Sequence, residues 1–331
     1  MQDLFERLTE NVLKTPAQGY ALSFRWNGQR LDRVNGLTAE EGSDPIGFDT
    51  RFRLASVTKQ FIAFGIVRLV KAGRLSFETP VRELYPEFPP YFDGITVRNL
   101  LNHTAGLANY EEIEHAEDAP QIRDAEIVPF LASTKEALFA PGTQYKYNNT
   151  AYVLLGQIIE LVSGQPLTEY MREEVFLPAG MRDTLVNVQG VTRFDRRAYG
   201  HRFIDGELRP MDQYWCSATI GDGGIYSTVN DLEKWIDYLT AHRKQYEDSM
   251  FRANVLPDGT DSEYGMGMRV ISREGIRIWY HTGSTIGTNT MLLFSPDADL
   301  RCVFLTNCNI NDTLVMKDNI LRMLADTETR R

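Results

Sequence analysis

Leu4, Phe5, Leu8, Val12 and Leu13 recur at a helical interval and stop short of Pro16, which predicts an amphipathic helix at the start of the chain. From Tyr20 to Trp26 large residues alternate with small or polar ones, and a second extended run, Gln29 to Val34, follows Asn27-Gly28. A two-residue turn needs positive φ, which Asn-Gly supplies, so these runs are predicted to pair as a hairpin. Arg51-Phe52-Arg53-Leu54 reads as another short strand, leading straight into an apolar helix that begins at Ser56 and stops at Gly73. A serine therefore stands at a strand-to-helix junction.

Between about residues 80 and 200 the pattern is mostly helical with irregular loops, clearest from Tyr152 to Val162 and ended by Ser163-Gly164. Strands return beyond residue 260, as Ile276 to Tyr280, Thr290 to Phe294 and Leu300 to Leu305. Turn-rich segments, Gly283 to Asn289 and Ser295 to Ala298, separate them. A last helix is expected from about Asp312 to Leu324, ahead of the polar tail Thr327 to Arg331. This order predicts one sheet drawn from both ends of the chain with a helical lobe inserted, without internal repeats or low-complexity linkers.

Composition narrows the class. With 331 residues, 43% hydrophobic and 24% charged, the chain is long enough for a sizeable core and is unlike collagenous, disordered or small disulfide-stapled proteins. Its net charge of −10 offers no overall basic field for nucleic acid or an anionic membrane. Phe61 to Val70 is interrupted by Arg68 and is too short to span a bilayer core of about 30 Å. Three cysteines, Cys216, Cys302 and Cys308, are expected as buried free thiols in a reducing compartment. The N-terminus, Met1 to Arg7, lacks the features of a secretory signal, so a cytoplasmic location is expected for the chain as it stands, or a periplasmic or secreted one if a leader has been removed. The five histidines show no metal-ligand spacing with Cys or carboxylates, and no metal site is expected. His103 is read as a loop organiser or helix cap, and Tyr214 and Trp215 as packing aromatics.

Three short motifs carry chemistry. Ser56 and Lys59, three positions apart at a helix start, share one face, so the amine is within reach of the hydroxyl. Among Val57, Phe61 and Ile62 the lysine is expected to have a lowered pKa and to activate the serine, while the helix N-terminus directs backbone N–H groups toward a developing oxyanion. Tyr147-Asn148-Asn149 follows a turn-like Ala140-Pro141-Gly142-Thr143 and is the chain's one Y-x-N. His281-Thr282-Gly283-Ser284, its one H-x-G, follows the strand Ile276 to Tyr280.

In this order the motifs S-x-x-K, Y-x-N and H-T-G resemble those of the serine beta-lactamase and penicillin-binding-protein superfamily, in its class C-like branch with esterases, D-amino-acid peptidases and DD-peptidases. Leu100 to Leu107, Gly223 to Thr228 with Asp231-Leu232, and Tyr264-Gly265-Met266-Gly267 extend the resemblance over nearly the whole chain. It implies an α+β fold of the beta-lactamase/transpeptidase type, with an antiparallel sheet flanked by N- and C-terminal helices beside a mostly helical lobe. The expected division is one catalytic domain, with the sheet lobe at about 1–70 and 225–331 and the helical lobe at about 71–224.

The resemblance also makes Ser56 the acylated nucleophile, Lys59 its proton acceptor or electrostatic neighbour, and Tyr147 the second member of the proton relay. Asn149 is implied to hold the substrate amide or the Lys59 amine. His281, Thr282, Gly283 and Ser284 are implied to border the substrate, with the backbone N–H groups of Ser56 and Ser284 as the oxyanion hole. The implied partner is a small ester, amide or peptide-like molecule, and no cofactor is needed. His281 stands where beta-lactamases and peptidases usually carry lysine, which tilts the reading away from beta-lactams toward esters, or amides whose carboxylate is placed differently. The alternative is a penicillin-binding, scaffold or sensor protein of the same fold with little turnover. Specificity is expected from the loops at residues 109–124 and 200–218.

Overall fold

Asn27 and Gly28 hold φ values of 50° and 73°, the positive values a tight hairpin turn requires. Through this turn β1 (Tyr20–Trp26) pairs antiparallel with β2 (Gln29–Asn35). A computed structural model of the protein describes residues 2–13, 18–40, 42–116, 119–309 and 313–328. In it β8 (Arg269–Arg273), β9 (Ile276–Thr285), β10 (Thr288–Ser295) and β11 (Leu300–Thr306) complete a six-stranded antiparallel sheet in the order β2-β1-β11-β10-β9-β8. The sheet unites the two ends of the chain. Three shorter strands, β3 (Phe52–Arg53), β4 (Leu185–Val186) and β7 (Ile225–Ser227), form a second sheet, and β5 (His201–Ile204) pairs with β6 (Glu207–Pro210).

The apolar runs of β10 and β11 follow from burial on both faces. Met291, Leu293, Cys302 and Phe304 pack with Leu4 and Leu8 of α1 (Gln2–Thr9) and with Met316 and Ile320 of the C-terminal helix. Their neighbours Leu292, Phe294, Val303 and Leu305 belong to the larger core on the opposite side. That core contains α2 (Thr58–Lys71), α3 (Asn149–Ser163) and α4 (Val229–Ala241). The C-terminal helix, α5, spans Thr313–Glu328. Capping matches the residues present: Asn148 accepts from the Ala151 N–H at the start of α3, and Gly164 ends it at φ 72°.

Several boundaries differ from the expectation. The opening helix ends at Thr9, and Asn11 turns left-handed at φ 59° before Val12 returns to the core. The predicted stop at Pro16, the predicted start at Asp312 and residues 329–331 lie outside the described residues. Strand β9 does not end at Tyr280 but continues through His281-Thr282-Gly283-Ser284 to Thr285, paired with β10 throughout. This stretch is small and polar because it passes beside the Ser56 turn. Cys302 and Cys308 are buried, whereas Cys216 is only half-buried. No helix is long and apolar enough to cross a membrane among the described residues.

Candidate active site

Ser56 lies not in the α-helix itself but in a 3-10 turn, Ala55–Val57, that joins β3 to α2. Ala55 is held at φ 47°, a conformation costing a non-glycine residue on the order of 1 kcal/mol. Surrounding bonds hold it there. The Leu54 N–H donates to the Ile225 carbonyl at 2.8 Å, and the Leu54 carbonyl accepts from Thr290 Oγ1 at 2.7 Å and from the Val57 N–H at 3.2 Å. Gly283 of β9 lies against the same turn, where a Cβ would collide with the Leu54 carbonyl oxygen and Thr290 Oγ1. Glycine at this position lets the strand edge approach the serine.

Lys59, one residue into α2, is fully buried, and its Nζ donates to Ser56 Oγ at 3.1 Å and to the Asp222 carbonyl at 2.9 Å. The rings of Tyr147 and Tyr152 lie 5.0 and 5.5 Å from the amine. Burial lowers its pKa to about 8, against the opposing pull of the Asp222 and Glu111 carboxylates. An appreciable fraction of neutral amine is therefore present near neutral pH, next to a serine hydroxyl.

Tyr147 immediately precedes the α3 cap and brings its ring beside Lys59. Its hydroxyl is buried without a regular hydrogen bond; burial raises its pKa, and the nearby Ser56 hydroxyl acts in the opposite direction. His103 fixes the segment from behind. Its Nδ1 accepts from the Asn148 N–H at 3.1 Å, its carbonyl accepts from the Lys146 N–H at 3.0 Å, and its ring lies 4.4 Å from that of Tyr147. Asn149 does not touch the amine: its Nδ2 donates to Glu111 Oε2 at 2.7 Å, while its buried Oδ1 has no partner. Of the two implied roles for Asn149, the one on Lys59 is replaced by the Asp222 carbonyl.

His281, expected to border the substrate, has neighbours on both ring nitrogens. It is buried, its Nδ1 lies 2.7 Å from the Thr282 carbonyl and its Nε2 lies 3.1 Å from the Tyr264 hydroxyl. These partners fix the proton on Nδ1 and use both nitrogens. Burial, with Lys59 nearby, depresses its pKa to about 3, so the ring is neutral and offers no fixed cation. Further along β9, Thr282 is half-buried and Ser284 is exposed, with Ser284 Oγ 3.4 Å from Asn289 Oδ1.

Sequence reasoning missed the acidic side of the site. Asp222 Oδ2 accepts from Tyr110 Oη at 2.8 Å, Tyr110 Oη lies 3.0 Å from Thr219 Oγ1, and Asp222 Oδ1 is buried without a partner. The Gly221-Asp222-Gly223-Gly224 run was the available signal, but the useful atom is a main-chain oxygen and carries no side-chain signature. Beside Glu111 opens a cavity of about 730 Å³ lined by Ile113, His115, Gln121, Tyr214 and Trp215. Tyr214 and Trp215 thus face open space as well as packing, and His115 stacks on Trp215 at 4.9 Å. The cavity draws on both loops expected to set specificity. No cluster of three or more His, Cys, Asp or Glu side chains is placed to hold a metal ion among the described residues.

Comparison with known proteins agrees with this arrangement. A family model described as Beta-lactamase matches residues 5–327. Penicillin-binding protein 4* of Bacillus subtilis is 31% identical over 325 residues, covering 93% of this chain and 71% of that protein. A D-aminopeptidase of Cereibacter sphaeroides is 28% identical over 273 residues; the match covers 80% of this chain but 51% of the relative, so the chain spans about half its length. Among solved structures, the octameric penicillin-binding protein homologue from Pyrococcus abyssi has a TM-score of 0.82 at 25% identity, over 98% of this chain and 76% of that one. With its serine, lysine and tyrosine gathered at one turn and a family match across nearly its full length, the chain belongs to the beta-lactamase family.

Proposed function

We propose that the protein is a serine hydrolase of ester or amide bonds that works through an acyl-enzyme on Ser56. The observation that carries this reading is the buried Lys59 amine, lowered to about 8 and 3.1 Å from Ser56 Oγ. In its neutral form it takes the hydroxyl proton as Oγ bonds to the substrate carbonyl carbon. The backbone N–H groups of Ser56 and Ser284 receive the oxyanion, a role supported by the close approach of β9 at Gly283. As the carbonyl re-forms, the bond to the leaving alcohol or amine breaks and that group takes up a proton through Tyr147, whose raised pKa keeps it a phenol. Water, activated by Tyr147 or Lys59, then releases the acid and restores Ser56.

Neutral His281 provides no ammonium for a substrate carboxylate, and Glu111 and Asp222 make the surroundings acidic. We therefore assign esters, or amides without a carboxylate beside β9, ahead of beta-lactams. A panel of acyl esters, D-amino-acid amides, D-Ala-D-Ala peptides and a chromogenic cephalosporin, run on wild type and Ser56→Ala, tests this. Turnover of an ester or amide that disappears in Ser56→Ala is expected. Turnover or serine-directed phosphonate labelling that survives the substitution would remove Ser56 from the mechanism, and a lasting penicillin adduct without product would favour a sensor.

A further inference from the structure

Asp124 lies outside the three motifs, three residues beyond the cavity-lining Gln121. Its side chain reaches across to another loop: Oδ1 accepts from the Ile220 N–H at 2.7 Å and Oδ2 from the Gly221 N–H at 3.2 Å. The next residue, Asp222, gives its carbonyl to Lys59 Nζ at 2.9 Å. One carboxylate thus grips the two peptide units that lead into the lysine's acceptor. The Asp124 carbonyl is in turn held by Gln157 Nε2 of α3 at 2.7 Å.

The connection continues along both segments. Gln121 Nε2 donates to the Tyr214 carbonyl at 2.6 Å, and the Ile122 N–H donates to the Trp215 carbonyl at 2.9 Å. Gln121, Tyr214 and Trp215 line the cavity, so its wall and the lysine clamp are parts of one bonded unit. On the far side the buried Arg53 takes the carbonyls of Ser217 at 3.0 Å and Gly223 at 3.2 Å. The amides of Ile220 and Gly221 are therefore gripped by Asp124 on one side, and the carbonyls of Ser217 and Gly223 by Arg53 on the other.

We propose that Asp124 is a positioning residue for acylation, which holds the 219–223 loop so that the Asp222 carbonyl anchors Lys59 within reach of Ser56. The proposal rests on the reading of Ser56 and Lys59 as the acylating pair. Burial raises the Asp124 carboxyl to about 8, with the charges of Asp222 and Glu160 acting in the same direction and the two amides opposing them. An acidic side chain kept there against burial, with both oxygens on main-chain amides, points to a specific demand on those amides.

The charged and titratable groups around the Lys59 amine are Ser56, Asp222, Glu111, His103, His281, Tyr147 and Tyr152. The Asp222 carbonyl accepts from the amine, so it favours the ammonium form. If the loop slackens, Lys59 loses that acceptor and its pKa falls. The test is the pH dependence of phosphonate labelling of Ser56 in the full-length wild type, Asp124→Asn and Asp124→Glu, with Tm measured beside it. Asn places an NH₂ group against one of the two amides; Glu keeps the carboxyl group but moves both oxygens.

The expected result is a plateau rate about 10-fold lower in both variants and a rising limb displaced to lower pH by about one unit in Asp124→Asn and by less in Asp124→Glu. Should Asp124→Asn fail to fold, Asp124→Glu alone decides by the same displacement. A limb that stays in place while the rate falls with Tm makes Asp124 merely structural and overturns the proposal. A displacement confined to Asn overturns it as well, since that is a charge effect. If wild type itself does not label at Ser56, the failure lies with the acylation reading rather than with Asp124.

Discussion

Lys59 and His281 flank the same tyrosine, with the amine 5.0 Å from the centre of the Tyr147 ring and the imidazole centre 6.1 Å away, and both are buried bases. Burial pushes both toward the neutral form, yet one is lowered to about 8 and the other to about 3. Most of that gap is intrinsic, an amine's ordinary 10.5 against an imidazole's 6.5, and their partners widen it. Lys59 faces acceptors, the Asp222 carbonyl and Ser56 Oγ, with two carboxylates nearby to support an ammonium. His281 has a carbonyl on Nδ1 and a hydroxyl on Nε2, partners that suit a neutral ring, and the Lys59 charge opposes a second cation. The site thereby keeps one base able to exchange a proton near neutral pH and one inert strut.

The comparison is open to attack from both sides. Replacing Lys59 by Met, which retains shape without a base, is expected to slow acylation by an activated ester about 10³-fold, measured by stopped-flow release of the leaving group. Tyr147→Phe comes next, with a loss of about 10²-fold in kcat, larger for amides than for activated esters because the poorer leaving group needs the proton. His281→Lys adds an ammonium close to Lys59. The repulsion should lower the Lys59 pKa further and move the rising limb of kcat/KM toward lower pH by about one unit, with a reduced Tm from the added buried charge. A limb unmoved in this variant would mean that Lys59 is not the group titrating. The smallest effect is expected in the cavity wall, where Trp215→Ala should raise KM about 3- to 10-fold and leave kcat nearly unchanged.

Local signals carried much of the fold. Asn27-Gly28 marked the hairpin and Gly164 the end of α3, because each needs a left-handed backbone that few residues adopt. Ser56, Lys59 and Tyr147 were readable from spacing and order, and they do meet at one turn. The extension of β9 was hidden because Gly283 and Ser284 look like turn residues, whereas the glycine is there to clear the Leu54 carbonyl. Asp222 and Asp124 were missed for a related reason. Asp222 contributes its carbonyl and Asp124 a side chain whose partners are the amides of another loop, and main-chain atoms brought together across the fold leave no pattern in the order of side chains. His281 was legible as a departure from lysine, but its saturation by Tyr264 and Thr282 required the packed structure.

The pH dependence of Ser56 acylation is the most direct test of the central claim, that a neutral Lys59 activates the serine. A lysine with a depressed pKa is protonated and inactive below about 8 and becomes the base as the pH rises through that value. Labelling by a serine-directed phosphonate, followed by intact mass and peptide mapping from about pH 5 to 10, is predicted to place one adduct on Ser56 at a rate that climbs with a midpoint near 8 and then levels. An adduct on another residue, or a rate on Ser56 that is flat across that range, would contradict it.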